Sequence, residues 1–129
     1  MPRAGRLAAP DASATAQSKL CGSVVTVDVR MADGVVVDYA QDVHACLLGQ
    51  CSAAVMGANI VGSTPEELRQ VGGQMRRMLR GEGPAPGGRW ADLAVLESVR
   101  DYKARHASTL LAFDAVEAAL AEIEAREGV

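Results

Sequence analysis

Residues 24–45 constrain the fold most strongly, because they predict a β-hairpin. They read VVTVDVRMADGVVVDYAQDVHA. In the first half, apolar residues alternate with polar ones, which is the period of a half-buried strand; the apolar positions are Val25, Val27, Val29 and Met31. Asp33-Gly34 predicts a two-residue turn, because both residue types tolerate positive φ. Residues 35–43 supply the returning strand, and a third short strand near residues 43–45 would extend the sheet.

Helical patterns follow the hairpin. The stretch SAAVMGANIVG predicts a helix of small residues that ends at Gly62. The next helix has a clear start: Thr64 is the predicted N-cap, Pro65 occupies the first helical position and Glu67 completes a capping box. Its apolar stripe consists of Leu68, Val71, Met75, Met78 and Leu79. A short helix over WADLAVLESVRDY and a last one over residues 104–126, with a stripe at Ala112, Val116, Leu120 and Ile123, complete the pattern.

This order of elements predicts an α+β fold, with a small antiparallel sheet of two or three strands packed on one face against about four helices. The 129 residues fit one domain, spanning positions 1–129 and opening with an extended lead-in over residues 1–20. Only four residues are aromatic. The core is therefore expected to consist mainly of Val, Leu, Ala and Met.

Charge and composition exclude several classes of protein. The net charge is −3 and the isoelectric point is about 5.3, which argues against a nucleic-acid-binding surface. No apolar run reaches the roughly 20 residues that a membrane span requires. The N-terminus has no apolar segment typical of a secretory signal, and three cysteines are an odd number for a disulfide framework. We therefore expect a cytoplasmic protein with reduced thiols.

The three cysteines are the main candidates for chemistry. Cys21 lies in LCGS at the entrance to the first predicted strand, Cys46 at the end of the second, and Cys51 at or near a helix start. A helix N-terminus lowers the pKa of a thiol and favours the thiolate that binds metal. Alternatively, each cysteine is a small core residue. The two histidines, His44 and His106, are either solvated or ligands.

Other catalytic patterns are absent from the sequence. It contains no Ser-His-Asp order, no pair of carboxylates typical of acid–base catalysis, and no phosphate-binding glycine loop followed by a lysine. We therefore expect a protein that is not an enzyme. A small redox enzyme using Cys46 and Cys51 as a reversible thiol pair is a further alternative, although the pair lacks C-x-x-C spacing.

Taken together, these motifs resemble the U-type iron–sulfur cluster scaffold family, which includes the NifU N-terminal domain, IscU and SufU. The family begins its first strand with Cys-Gly-Asp, which corresponds to Cys21-Gly22-Ser23 here. A Val-rich hairpin and a cysteine at a helix start follow, and His44-Ala45-Cys46 is similar to that cysteine motif. The TPEEL helix and the segment KARHAS, which is similar to Pro-x-Arg-x-x-Cys, extend the resemblance over residues 4–124.

The resemblance implies a site at which three cysteines and one aspartate hold a nascent cluster or a zinc ion. Here Ser23 stands at the aspartate position and Ser108 at the third cysteine position. Cys21 and Cys46 keep the family's ligand identity. Cys51 and His106 are the substitutes that would complete a Cys3His set, which suits Zn²⁺ or a [2Fe–2S] cluster.

The resemblance also implies a function: a scaffold or sulfur-acceptor protein that binds iron or zinc and a transient iron–sulfur cluster through its cysteines. A cysteine desulfurase would supply sulfur, and downstream apo iron–sulfur proteins would receive the product. The alternative is a non-catalytic paralogue that keeps the fold as an interaction or regulatory module, since two ligand positions differ.

Overall fold

The computed structural model describes residues 1–20 and 22–127. In these residues three antiparallel strands form one sheet in the order β1-β2-β3. The strands are β1 (Ala12–Gln17), β2 (Val24–Ala32) and β3 (Val35–His44). The helices are α1 (Leu47–Asn59), α2 (Pro65–Leu79), two 3₁₀ helices (Gly88–Asp101 and Lys103–Arg105) and α3 (His106–Glu127). The predicted α+β class is confirmed.

The predicted hairpin joins β2 to β3. Asp33 and Gly34 have φ angles of 54° and 79°, as a tight turn between twisted strands requires. The three valines of β2 that alternate with polar residues are fully buried, so one face of the sheet supplies the core. Tyr39 and Gln41 lie on that same face, opposite Val29 and Val27.

The third strand is not where the sequence predicted it. Residues 43 and 44 belong to β3, and the extra strand is β1, inside the predicted lead-in. Its sequence, ASATAQ, alternates small apolar residues with hydroxyl or amide residues. Ala12 is buried and Ala14 and Ala16 pack against the core. This alternation is weak as a strand signal because alanine is uncommon in strands.

Residues 1–11 form a strap that wraps from one edge of the sheet to the other. Ala4 pairs with Gln41 in parallel, outside the three named strands. The backbone N–H of Gly5 donates to the Gln41 carbonyl at 2.9 Å, and the N–H of Gln41 donates to the Arg3 carbonyl at 3.0 Å. The strap therefore covers part of the edge of β3, which would otherwise expose unpaired backbone groups.

Asp28 anchors the strap where it crosses the outer face of the sheet. Arg6 donates two hydrogen bonds to this fully buried carboxylate, at 2.7 and 3.1 Å. The backbone N–H of Leu7 and the hydroxyl of Ser13 donate at 2.9 and 2.5 Å. These donors, Arg6 first, lower the pKa of Asp28 to about 2. Asp28 occupies a polar position of the alternating pattern, but the strap buries it.

The N-terminus of α2 is only partly as predicted. The Thr64 hydroxyl caps the helix by accepting from the Glu67 backbone N–H at 3.1 Å. The Glu67 carboxylate, however, accepts from Trp90 Nε1 at 2.9 Å and from Arg89 at 2.6 Å. These two donors lower the pKa of Glu67. Glu67 thus ties α2 to the 3₁₀ helix that begins at Gly88, instead of closing a capping box.

Helix α1 begins earlier than predicted, at Leu47, which makes Cys46 its N-cap residue. Cys51 therefore lies in the second turn of α1 and not at the helix start. The apolar stripes predicted for α2 and α3 are buried. Helix α3 packs against the sheet, and α2 packs against α3 and the 3₁₀ helix Gly88–Asp101. None of the helices in the described part of the chain is long and apolar enough to cross a membrane.

Candidate functional site

Cys46 is the centre of the candidate site. Its backbone is extended, with φ −65° and ψ 171°, and its side chain is partly exposed. The backbone N–H of Cys46 donates to the Ser23 hydroxyl at 3.3 Å, and the thiol of Cys46 donates to the Ser108 hydroxyl at 3.5 Å. Positions 23, 46 and 108 therefore lie together, although the first and the last are 85 residues apart in the sequence.

Backbone pairing and helix packing explain this convergence. Ser23 immediately precedes β2, and Cys46 follows β3 by two residues. The pairing of Val24 with His44 places the two segments side by side. Ser108 lies in the first turn of α3, which packs against α1. Both serines are almost completely buried, so Cys46 is the more accessible member of the group.

The hydroxyl of Ser108 has a second partner. It donates to the carbonyl of Arg105 at 3.1 Å, which leaves its oxygen to accept from the Cys46 thiol. A serine hydroxyl can rotate to donate instead, as it would toward a thiolate. Neutral hydroxyls are poor ligands for iron or zinc compared with thiolate, imidazole or carboxylate. The described side chains of the site therefore supply one strong ligand, Cys46.

The two other cysteines predicted as ligands are Cys51 and Cys21. Cys51 is partly buried and packs against the hydrophobic core from the second turn of α1. Cys21 lies outside the described residues. A hydrogen bond joins the segments before and after Cys21: the N–H of Ser18 donates to the carbonyl of Ser23 at 2.9 Å. This bond connects the end of β1 to the start of β2.

Both histidines have polar neighbours of their own. His106 Nε2 lies 3.1 Å from the carbonyl oxygens of Val99 and Arg100. Carbonyl oxygens only accept, so Nε2 must carry the proton. The exposed His44 lies 3.1 Å from an Asp42 carboxylate oxygen. Among the residues described, no three His, Cys, Asp or Glu side chains form a group that could hold a metal ion.

Exposed apolar residues lie on the segments that carry Cys46 and Ser108, and sequence reasoning missed them. Leu47, the residue after Cys46, is 79% exposed, and Tyr102 is 66% exposed. A groove of about 360 Å³ is lined by Leu48, Ser98, Val99, Tyr102 and Arg105. Leu48 and Arg105 belong to the segments that carry Cys46 and Ser108. The only sequence signal was the Leu-Leu pair directly after the cysteine.

Comparison with known proteins identifies the family. No family model matches the chain. The crystal structure of the N-terminal part of a nitrogen-fixing NifU-like protein from Brucella abortus is 58% identical, covers 97% of this chain and 87% of its own, and superposes with a TM-score of 0.95. The chain belongs to the U-type, NifU-like scaffold family. The resemblance inferred from the sequence motifs is therefore confirmed.

Two further proteins are similar to this chain. A Thermotoga maritima protein named as the iron–sulfur cluster assembly scaffold protein IscU is 29% identical over 103 residues, which cover 80% of this chain and 72% of that protein. A SUF-system scaffold structure from Fervidobacterium islandicum has a TM-score of 0.84 at 23% identity, covers 92% of this chain and 86% of its own, and shows the shared fold.

Proposed function

We propose that this U-type protein acts in iron–sulfur cluster assembly, as a scaffold or sulfur acceptor whose cargo is held at Cys46. The observation that carries the proposal is the meeting of Cys46 with the Ser23 and Ser108 positions at the N-terminus of α1. The Thermotoga relative bears the name of such a scaffold. The chain itself is proposed to catalyse no reaction.

The local structure supports thiolate chemistry at Cys46. The first N–H groups of a helix point out of its N-terminus and favour negative charge there. Cys46 is the N-cap of α1 and the residue is partly exposed, which suits the approach of an iron ion, zinc ion or sulfur atom. An exposed Leu47 next to the thiol suits contact with a protein that delivers or receives the cargo.

A cluster needs more than one ligand, and the proposed set is Cys21 and Cys46 with Cys51 and His106. Cys21 is two residues from Ser23, whose hydroxyl accepts from the Cys46 backbone. Recruiting His106 requires its ring to leave the carbonyls of Val99 and Arg100, or to bind through Nδ1. The cargo in this proposal is a [2Fe–2S] cluster, an iron ion or a zinc ion, all compatible with cysteine and histidine ligands.

The partners in this proposal are a cysteine desulfurase, which supplies sulfur, and apo iron–sulfur proteins, which receive the assembled cluster. Such a protein would work in the reducing cytoplasm, where its thiols stay free. The whole chain, residues 1–129, is proposed to act as one domain.

A second candidate function is an interaction or regulatory module that keeps the family fold without cargo. The hydroxyl groups at positions 23 and 108 favour it, because they replace strong ligands with weak ones.

Anaerobic reconstitution separates these candidates. The full chain and its Cys46→Ser and Cys51→Ser variants are incubated with ferrous iron and sulfide, or with zinc alone, then desalted and assayed for bound metal and visible absorbance. His44→Ala, at an exposed position paired with Asp42, is the matched control.

The scaffold proposal expects bound zinc or a cluster that Cys46→Ser abolishes and His44→Ala retains. A folded wild-type protein that holds no metal and shows no cluster absorbance overturns it and supports the interaction module. A loss on Cys51→Ser equal to that on Cys46→Ser would place Cys51 among the ligands. A Cys46–Cys51 disulfide that forms and is reduced reversibly, without cargo, supports the redox alternative instead.

A further inference from the structure

Gly49 lies at a close approach between α1 and α3. It is buried in the first turn of α1. A Cβ atom built on Gly49 would lie 2.8 Å from the Ala45 Cβ and 3.0 Å from the backbone carbonyl oxygen of Ser108. Carbon atoms in proteins normally pack at about 3.5–4.0 Å, so a side chain at this position displaces a neighbour.

The Ala45 Cβ is the nearer of the two atoms, and the carbonyl of Ser108 is the one that belongs to the backbone of α3. This carbonyl links Gly49 to the site. It moves only when the first turn of α3 moves. That same turn carries the Ser108 hydroxyl to within 3.5 Å of the Cys46 sulfur. Gly49 and Cys46 are three residues apart, which places them about one turn apart on α1. The missing side chain at Gly49 is therefore coupled directly to the contact between thiol and hydroxyl.

We propose that Gly49 is a positioning residue for Cys46, because only a glycine lets the first turn of α3 come close enough for Ser108 to reach the thiol. In this arrangement Ser23 holds the backbone of Cys46, and Gly49 and Ser108 hold its sulfur. The role of Gly49 in positioning Cys46 rests on these contacts alone. Its importance for cargo rests on the proposed function of Cys46.

The test measures the reactivity of Cys46 in the native protein. Wild type, Gly49→Ala, Ser108→Ala and the double variant are treated with iodoacetamide at one fixed, near-neutral pH. Mass spectrometry of the separate peptides follows alkylation of Cys46, with Cys51 of the same molecule as internal reference. A general loosening of α1 raises both rates, whereas a repositioned Cys46 changes the ratio of the two.

The proposal predicts how each variant changes the ratio of Cys46 alkylation to Cys51 alkylation. Gly49→Ala should change the Cys46 to Cys51 ratio by about threefold or more, the size of effect that loss of a hydrogen bond gives. Ser108→Ala should change it in the same direction. In the Ser108→Ala background, adding Gly49→Ala should have no further effect, because the contact that Gly49 permits is already gone.

Two other glycines provide matched controls. A Cβ on Gly57, toward the other end of α1, would lie 2.7 Å from both Gln41 Nε2 and the Pro2 carbonyl oxygen, so Gly57→Ala introduces a clash of the same kind far along the helix. A Cβ on Gly73 in α2 meets only Arg77, at an ordinary 3.6 Å. Both alanine variants should leave the alkylation ratio unchanged.

Several outcomes overturn the proposal: an unchanged ratio in Gly49→Ala, an equal change in Gly57→Ala, or additive effects of Gly49→Ala and Ser108→Ala. Should Gly49→Ala not fold, the variant Ala45→Gly/Gly49→Ala replaces it, since it removes the 2.8 Å contact and keeps the 3.0 Å contact with Ser108. The alkylation cycle needs no metal. If the alkylation ratios change as expected but reconstitution fails, the positioning role of Gly49 stands and only the proposed cargo is refuted.

Discussion

Replacing Asp28 by asparagine should weaken the whole fold, because this carboxylate fastens the strap to the sheet. The carboxylate is fully buried and accepts from two nitrogens of Arg6, from the Leu7 backbone and from the Ser13 hydroxyl. All four groups are donors. Asparagine keeps the shape, but it removes the charge and directs an amide donor toward one or more of these donors.

The pKa of Asp28 gives the magnitude. It falls from 3.8 to about 2, chiefly through the hydrogen bonds from Arg6. One pKa unit corresponds to about 1.4 kcal/mol, so the decrease is equivalent to about 2 kcal/mol of unfolding free energy. The Arg6 side chain is 55% exposed, and solvent screening at that end reduces the contribution to about 1–2 kcal/mol.

The sign of the pH dependence follows from the direction of the change. The folded-state pKa lies below that of the unfolded chain, so the contribution is present above about pH 4 and is lost as the pH falls through about 2. Urea unfolding of wild type and Asp28→Asn should therefore differ by about 1–2 kcal/mol at neutral pH. The unfolding free energies of the two proteins should converge as the pH falls toward 2.

The control is Asp38→Asn, which breaks the ion pair that joins the same strap to β3. Asp38 lies 3.2 Å from Arg3, and the two side chains are 41% and 39% exposed. Such a surface pair contributes less than about 1 kcal/mol. The reasoning is refuted if both variants lose the same stability, or if the difference between wild type and Asp28→Asn stays constant down to pH 2.

Three further predictions concern other described contacts. The Ser52 hydroxyl is buried without a hydrogen-bond partner in the described part of the chain, so Ser52→Ala should be neutral or stabilise by up to about 1 kcal/mol in urea unfolding; a clear loss would reveal a partner. Glu67→Gln should shift the fluorescence of Trp90, the only tryptophan, and wild type should show the same shift on acidification with a midpoint below 4.5, because the pKa of Glu67 is lowered; a midpoint at or above that value contradicts it. Ser108→Cys, kept reduced, should raise zinc affinity at least about tenfold over wild type, since a thiolate beside Cys46 replaces a weak ligand; unchanged affinity argues against a metal site here.

Much of the fold could be predicted because local signals agreed with it. The turn at Asp33-Gly34, the Thr64 cap and the buried stripes of α2 and α3 each follow from short-range rules, and each is present. The strand β1 could not be predicted from periodicity alone, since its inward residues are alanines. Its pairing with β2, and not its own propensity, makes it a strand.

The surroundings of Cys46 were harder to read from the sequence than the fold. Cys46 was singled out, but its role as the N-cap of α1 depended on where the helix begins, and the Leu-Leu-Gly sequence after it carries no cap signal. The burial of Asp28 also escaped the sequence, because a strap more than 20 residues away covers it. Local patterns do not report contacts of this range.

The geometry of the site is set mainly by the backbone, and its chemistry by three side chains. Pairing of Val24 with His44 and the close approach of α3 to Gly49 bring positions 23, 46 and 108 together through backbone contacts. The residues at positions 23 and 108 therefore decide which ligand groups stand beside Cys46. Restoring a thiol at position 108 should thus alter metal affinity while leaving the unfolding free energy nearly the same, which a substitution that rearranged the fold would not do.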